Sequence, residues 1–457
     1  MLTRQFARNA CDKIRARFSP QIEVLRRFNL RLSRLLIPLA TLMIAGAAFG
    51  SGFALFEAGA KAVAMGGAFA ATADDPSAIF YNVAGIAQLR RPEVLFGGTA
   101  INFQNSFTGD PNDPFTAGAS GSKYRAHTFV VPSAYATMPL GENLTVGVGV
   151  FAPFGLRTNW AQPWIGRYIS SDANIKTVSV EPAIAWQTSD GRLAIGGGPE
   201  YRRGRVMLAR TTQFTNPFTN RITDVASTYL SSDWADKWGW NVGILYKPTP
   251  TWRIGASYRN GMTLDLKGTA TIKQIPSGNA QFDAVVASQL PPTQPVTTSI
   301  AMPRFIYLAV ATTAIENWDI EADVVQNNWS TFKTLKINLL TTPSQSITRD
   351  QNWKNTYSYR LGANHPVTSD WDIRLGALYD KNPEPVTAVT PLLADGDRIG
   401  VSFGVGYHAG PFILDATEFA LHFKTRSTQG QSPDAFNGTY KTDANLITVN
   451  LGYRFGK

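Results

Sequence analysis

Gly400-Val401-Ser402-Phe403-Gly404 has the spacing of a nucleophile elbow, which presents a serine on a sharp turn between a strand and a helix. Here the motif lies inside an alternating run (Ile399, Val401, Phe403, Val405), and no helical period follows it. His408 stands six residues further along, about 20 Å away at strand rise, beyond hydrogen-bond reach of Ser402. Gly147-x-Gly149-x-x-Ala152 and Gly404-x-Gly406-x-x-Ala409 imitate a dinucleotide fingerprint, but neither opens a helix in a βαβ unit. His127, His365, His408 and His422 lie in separate segments without metal-ligand spacing, and the one thiol, Cys11, is far from all of them. Asp319, Glu321 and Asp323 share one strand face, which reads as a solvated polar row before it reads as a cation site. The chemistry that is left is anion binding: Arg202, Arg253 and Arg360 each fall on the polar face of an alternating segment, and a guanidinium grips a carboxylate with two parallel bonds. Glu181 and Glu200 are the competing partners. No catalytic residue, metal site or cofactor is expected, and no nucleic-acid motif appears.

The elements that would hold these residues alternate from about residue 92 onward. Trp238, Trp240, Val242, Ile244 and Tyr246 oppose Lys237, Gly239, Asn241 and Gly243; Trp371, Ile373, Leu375, Ala377 and Tyr379 oppose Asp372, Arg374 and Gly376; Trp353, Tyr357, Tyr359 and Leu361 oppose Lys354, Ser358 and Arg360. A period of two gives each strand one apolar and one polar face. Aromatics end the apolar rows and aliphatics fill their middles, as at the two interfaces of a bilayer. Full charges on the polar face, Glu181, Arg253, Asp323 and Arg360 among them, are costly in a dry core and cheap in a wet lumen. The expected fold is all-β: a transmembrane antiparallel β-barrel of about fourteen strands spanning 92–457. Segments 207–235, 267–297 and 331–351 read as long polar loops; Pro248-Thr249-Pro250, Asp190-Gly191 and Thr368-Ser369-Asp370 read as tight turns.

A mean hydropathy of −0.11 is too low for a helical membrane protein but suits a barrel. The net charge of +10 invites a nucleic-acid reading. Much of that excess, however, sits in residues 1–50, where Arg26, Arg27, Arg31 and Arg34 precede the apolar run 35–49. Its length, and the small residues of Ala48-Phe49-Gly50, fit a signal peptide cleaved before Ser51.

Residues 51–91 break the alternation. Gly66-Gly67-Ala68-Phe69-Ala70-Ala71 is followed by Ala73-Asp74-Asp75-Pro76-Ser77 and by Tyr81-Asn82-Val83-Ala84-Gly85. Later come Phe151-Ala152-Pro153-Phe154-Gly155-Leu156 with Trp160 and Gly166-Arg167-Tyr168, then Asn328-Trp329-Ser330-Thr331-Phe332, then Trp371 to Asp380 with Asp395-Gly396-Asp397-Arg398. These blocks, in this order, resemble those of the FadL/TodX family of outer-membrane transporters, with Val83 standing where the family has proline. The resemblance implies an N-terminal hatch over 51–91 plugging the barrel. It also implies passive passage of long-chain fatty acids or related hydrophobic compounds, aromatic hydrocarbons being the alternative, in a Gram-negative outer membrane. A general porin and a structural or adhesin barrel are the less favoured readings. Implied partners are the cargo, outer-membrane lipid and lipopolysaccharide, and the barrel assembly machinery, which reads a terminal aromatic such as Phe455; a monomer is expected.

On that scheme an apolar stripe of Phe282, Val285, Val286 and Leu290 at helical spacing, beside Phe214 and Phe218, is expected to capture cargo outside. Arg202, Arg253 and Arg360 are expected to hold an acid headgroup in the lumen. Gating is expected from Phe53, near the start of the processed chain, and from the turn Asn82-Val83-Ala84-Gly85, held against the third strand. There Pro153 and Gly155 would kink the wall and open a side exit into lipid. The leader makes the first prediction: Edman sequencing of outer-membrane material is expected to begin at Ser51, and a start at or near Met1 would refute cleavage.

Overall fold

The computed structural model describes residues 52–119, 122–124 and 128–456; the leader 1–50, its cleavage site, Cys11 and His127 lie outside them. The alternation read from the sequence is the wall of a closed antiparallel barrel. Among the described residues twenty-two strand segments form one sheet; two short ones, Ser122–Lys123 and Arg426–Ser427, lie at its rim, and the other twenty make fourteen wall strands. They are β1 (Glu93–Gly109), β2 (Thr128–Pro139), β3 (Leu144–Phe151, resuming as Gly155–Asn159), β4 (Asp172–Gln187) and β5 (Leu193–Asn216). Then come β6 (Arg221–Ser232 and Ala235–Thr249), β7 (Trp252–Arg259 and Met262–Gln274), β8 (Thr293–Met302 and Phe305–Thr312), β9 (Asp319–Asn327 and Thr334–Leu339) and β10 (Ile347–Asp350 and Thr356–Pro366). Last are β11 (Trp371–Asp380), β12 (Arg398–Ala409), β13 (Phe412–Phe423) and β14 (Gly438–Arg454). β1 pairs with β14 along all 17 of its residues, from Glu93 opposite Arg454 to Gly109 opposite Gly438. That seam leaves no sheet edge open to hydrocarbon. Trp238, Trp240, Val242, Ile244 and Tyr246 face outward, while Gly239, Asn241 and Gly243 are buried inside. Among the described residues no helix is long and apolar enough to cross a membrane.

Two expectations change. The segments 207–235, 267–297 and 331–351 are not loops for most of their length: they continue the wall as paired strands, 207–216 with 221–231, 262–271 with 293–302, and 334–337 with 347–350. Their Thr and Asn content reads as loop, yet Thr is a good strand former when one face is half-buried. Trp353 also departs from the outward row assigned to it. It lies just before the second segment of β10 and is 3% exposed, in an aromatic cluster inside the barrel.

The lumen is not wet at the level of Glu181, Asp323 and Arg360, because residues 52–91 fill it. This stretch contains two short helices, α1 (Ala60–Ala64) and α2 (Ala78–Tyr81), and the 3-10 helix Val83–Gln88, with nearly every side chain buried. Two features of the wall admit it. Inward glycines let backbone touch backbone: a Cβ on Gly376 would stand 2.0 Å from Gly66 N, one on Gly255 2.1 Å from Ala70 O, and one on Gly243 2.0 Å from Asn82 Oδ1. Inward carboxylates on β9 accept the N–H groups that so compact a segment leaves unpaired. Asp323 takes those of Phe69 and Ala70 at 3.2 Å, and Glu321 those of Ala71 and Thr72 at 2.7 Å. Glu321 and Asp323 of the polar row therefore bind hatch backbone instead of solvent, while Asp319 pairs with Arg253. Ser402 is spent the same way: its Oγ accepts from Gly66 N at 3.1 Å and donates to Ala64 O at 2.8 Å.

This packing predicts that Gly376→Leu leaves a folded barrel, by its heat-modifiable gel migration, but displaces the hatch. Overpacking of about 1–3 kcal/mol falls on hatch contacts and not on the strand ladder. Single-channel conductance in planar bilayers should rise above that of the parent; a parent-like trace from a folded variant would contradict the contact.

Candidate functional site

β3 is broken between Phe151 and Gly155. Below the break Phe151 pairs with Ser179; above it Gly155 pairs with Lys176, so residues 152–154 on one strand face Thr177 and Val178 on the other. Pro153 has no N–H to give and extra residues bend a strand, so the wall loses ladder bonds here. The start of the hatch replaces them. Leu55 N donates to Pro153 O at 2.9 Å, Gly155 N donates to Phe53 O at 2.9 Å, and Ala54 pairs with Phe154 as an antiparallel bridge. Thr177 Oγ1 accepts from Phe154 N at 3.1 Å and donates to Phe154 O at 2.5 Å, fixing the bulge from the β4 side. Residues 53–55 thus form a strap that completes the broken strand from inside.

The strap is held by its first side chain. Phe53, 2% exposed, meets Trp329 edge-on at 4.6 Å between ring centres, Phe332 and Trp353 at 5.8 Å, and Phe154 at 6.1 Å. Gly52 has φ +61°, and a Cβ there would stand 2.4 Å from the Trp353 ring, so only glycine turns the chain into this seat. Gly52 N donates to Asp395 Oδ2 at 2.9 Å, and Asp395 N donates to Glu384 Oε2 at 3.0 Å. Both carboxylates belong to the connection 381–397, beyond the ends of β11 and β12. Burial pushes the Asp395 carboxyl up to about 7, the nearby Arg398 guanidinium only partly opposing it, and burial likewise holds Glu384 well above the carboxylate range.

Beside Phe53 lies a cavity of about 110 Å³. Its wall is almost wholly apolar: Leu156, Ile175, Leu208, Ile300, Ile337, Phe332 and Trp353 from the barrel, and Ala388, Leu392 and Leu393 from the connection 381–397. Glu384 is the charged residue among those lining it; no Arg or Lys is there.

The arginines expected to meet a headgroup are placed elsewhere and are engaged. Arg202 is fully buried, 2.5 Å from Glu200, with its guanidinium over the Phe154 ring. Arg253 is paired with Asp319 and donates to Thr72 Oγ1. Arg360 donates to Gly67 O at 2.9 Å and lies over the Phe56 ring. Acids take two of the three, Glu200 holding Arg202 and Asp319 holding Arg253, while Glu181 is held by a fourth arginine, Arg259, which also bonds Glu200. The hatch itself engages two of them, Arg253 through the Thr72 hydroxyl and Arg360 through the Gly67 carbonyl and the Phe56 ring, whereas Arg202 is held within the wall by Glu200 and Phe154.

The expected outer stripe is a helix, α3 (Ala280–Gln289), capped by Asn279 Oδ1 accepting from Phe282 N. Phe282, Val286 and Leu290 turn inward onto Val225 and Ala226, with Phe214 half-buried beside them; Val285 and Phe218 stay exposed, at 49% and 56%. Asn82-Val83-Ala84-Gly85 is anchored on β5 and β6 more than on β3, with Val83 and Ala84 over Gly196 and Asn82 at Gly243. Asn82 Nδ2 donates to Ile244 O at 3.0 Å and Ala70 O at 2.7 Å, and Asn82 Oδ1 accepts from Ala84 N at 3.2 Å. Val83 opens the 3-10 helix fully buried where proline was the pattern. Proline needs no N–H and fits a first helical position, so valine there loses only its preset φ. Besides the strap, the hatch meets β3 through Ile79, which packs on Gly147 and Gly149.

Residues 41–455 match the family model described as outer membrane protein transport protein (OMPP1/FadL/TodX). The chain belongs to this family. The long-chain fatty acid transport protein of Escherichia coli O6:H1 is 22% identical to it over 92% of this chain and 98% of that one. The 47 kDa outer membrane protein of Pasteurella multocida is 24% identical over 93% and 99%. In fold it is similar to the crystal structure of a Pseudomonas aeruginosa FadL homologue (TM-score 0.76, 18% identity, 89% of this chain and 100% of that one). It is also similar to the Pseudomonas putida toluene transporter TodX (TM-score 0.66, 16% identity, 88% and 98%). The protein is thus an outer-membrane β-barrel of a family that transports hydrophobic compounds.

The sequence did not single out Trp329, Phe332, Trp353 or the 381–397 connection as site residues. The available signal was Trp353 followed by Lys354 and Asn355, a Trp with no regular row after it until Thr356.

The seat of Gly52 on Asp395 makes a pH prediction. A carboxyl raised from 3.8 to about 7 holds its proton more tightly in the folded seat than in the free chain. Its contribution is greatest below the ordinary value, falls as pH rises from 3.8 towards 7, and is level above. Hydrogen-exchange protection of the strap amides, residues 53–55, should therefore decline over that window in the parent. Asp395→Asn should flatten that part of the profile; an unchanged slope in the variant would dismiss the linkage.

Proposed function

We propose that the chain passes small hydrophobic molecules across the outer membrane without doing chemistry on them, and that the strap 53–55 is its gate. The observation that carries this is the pairing of the strap with the broken strand, next to an apolar cavity closed on one side by Phe53. Cargo entering the cavity competes with the Phe53 ring for the same apolar walls. Once the ring leaves, the strap withdraws its bonds from Pro153 and Gly155, and a gap opens through β3 towards lipid. An apolar molecule exits sideways into hydrocarbon in preference to water. Residues 51–91 act as the hatch, which need not leave the lumen for this route to open. Outer capture falls to the exposed Val285 and Phe218, since Phe282, Val286 and Leu290 support their own helix.

Two cargo classes are named by the relatives, long-chain fatty acids and toluene. The cavity favours an uncharged molecule: its lining is almost wholly apolar and offers no cation to a carboxylate. A volume of about 110 Å³ is on the scale of a single ring, as an engineered cavity of about 150 Å³ takes benzene; a long acyl chain requires Phe53 to move aside.

Ala54→Cys with Phe154→Cys tests the gate, because bridge partners sit within disulfide reach. Oxidised, this variant should take up labelled oleate and toluene at the rate of cells lacking the protein, and reduction should restore transport. Parent-rate uptake by the oxidised, correctly inserted barrel would rule out the strap as gate. In the parent, faster uptake of toluene than of oleate supports the uncharged cargo; the reverse order rejects it.

A further inference from the structure

On the outer face of the barrel, cations gather where β4, β5 and the second segment of β3 pass above the upper ring of aromatics. Tyr201 on β5 and Trp238 on β6 are cross-strand partners with ring centres 5.1 Å apart, facing outward. They mark the outer interface of the bilayer. Two and four residues further up β5, on the same face, come Arg203 and Arg205. Arg203 is partnered by Asp236 at 2.7 Å. Arg205 stands directly opposite Lys176 of β4 in an unbroken register. Lys176 is in turn opposite Gly155, with Arg157 and its partner Asp172 (2.6 Å) one step above.

Four cations and two acids share this face, and the acids are used by Arg203 and Arg157. Lys176 and Arg205 form no ion pair among the described residues. Each is half-buried, Arg205 with its guanidinium 5.0 Å from the Trp234 ring and with its Nε buried and unbonded. Like charges directly opposite on a sheet destabilise it, and most surface cations avoid that by pairing or by reaching water. This pair is held together, flanked by aromatics, at the height of lipid headgroups. An anion between the two removes the repulsion and supplies the missing acceptor.

We propose that Lys176 and Arg205 bind a phosphate group on the glucosamine headgroup of lipopolysaccharide in the outer leaflet. The occupant follows from position and charge. The site faces lipid, not lumen; it lies above the aromatic ring of the outer interface; and its two free cations match a phosphate monoester. Because Lys176 pairs with Gly155, a bound headgroup sits on the outer side of the strand break whose inner side the strap completes. The proposal rests on the outer-membrane location and not on the identity of the cargo.

The test is binding of bisphosphorylated lipid A to the full purified barrel in detergent, followed by native mass spectrometry. Dephosphorylated lipid A with the same acyl chains and inorganic phosphate serve as separate arms. Lys176→Gln with Arg205→Gln should weaken lipid A binding on the order of tenfold. Lys424→Gln with Lys441→Gln, an equal charge change at exposed sites, should leave it unchanged, and Lys176→Arg with Arg205→Lys should retain it. Heat-modifiable migration checks that each variant is folded. Equal binding by both Gln pairs, equal binding of the dephosphorylated lipid, or inorganic phosphate binding as tightly as lipid A would each overturn the site. Labelled-cargo uptake is measured separately, so loss of lipid binding with normal transport, or the converse, tells the two readings apart.

Discussion

A barrel wall in lipid has to satisfy every backbone group from within the protein, because the hydrocarbon around it supplies no partner. At 152–154 the third strand cannot do so by itself, since Pro153 gives no N–H and the bulge puts three residues against two. The protein meets the requirement with its own first residues, through two backbone bonds at Pro153 and Gly155. Much else at the site follows from where that strap must lie. Gly52 has to turn tightly beneath Trp353, Phe53 has to fall among Trp329, Phe332 and Phe154, and the connection 381–397 has to fold inward to bring Asp395 to Gly52 N. The wall is sealed by a part that is not itself wall, and two hydrogen bonds are a small barrier beside the ladders of the intact strands.

The lumen shows the same constraint in another form. A compact stretch rich in Ala and Gly exposes more peptide groups than its short helices can pair. In water these would be solvated; packed in a barrel they need protein acceptors and donors. Asp323 and Glu321 serve four N–H groups, Arg360 and Arg259 serve carbonyls of Gly67, Ile79 and Phe80, and Asn82 serves Ile244 O and Ala70 O. The inward charges are therefore the hatch's hydrogen-bonding environment, and the inward glycines give the close approach that makes such bonds possible.

Period two and the aromatic rows made the wall legible in the sequence, because lipid imposes one simple rule on every outward position. Glycines at inward positions and the break at Pro153 and Gly155 were legible too. The partners of the inward charges were not. Arg202 and Arg360 look alike on a strand pattern, yet one meets Glu200 on its own strand and the other a carbonyl of the hatch, 293 positions away, and the pattern does not tell a local partner from a distant one. Segment 207–235 misled for a different reason: strands rising clear of the bilayer lose the apolar face that announces a strand. The amphipathic spacing of Phe282, Val286 and Leu290 was readable, but spacing alone does not say whether a stripe faces cargo or its own support.

The seam between β1 and β14 carries a further consequence. Only Leu89 to Pro92 separate the end of the 3-10 helix from the first residue of β1, and Phe455 N bonds to Pro92 O just below the last rung. The filling is thus tied, on a tether of four residues, to the strand at which the sheet closes on itself. The sheet therefore closes around its contents at the strand that carries them, and any movement of the hatch out of the lumen has to pull on Pro92, beside the rung of Glu93 and Arg454.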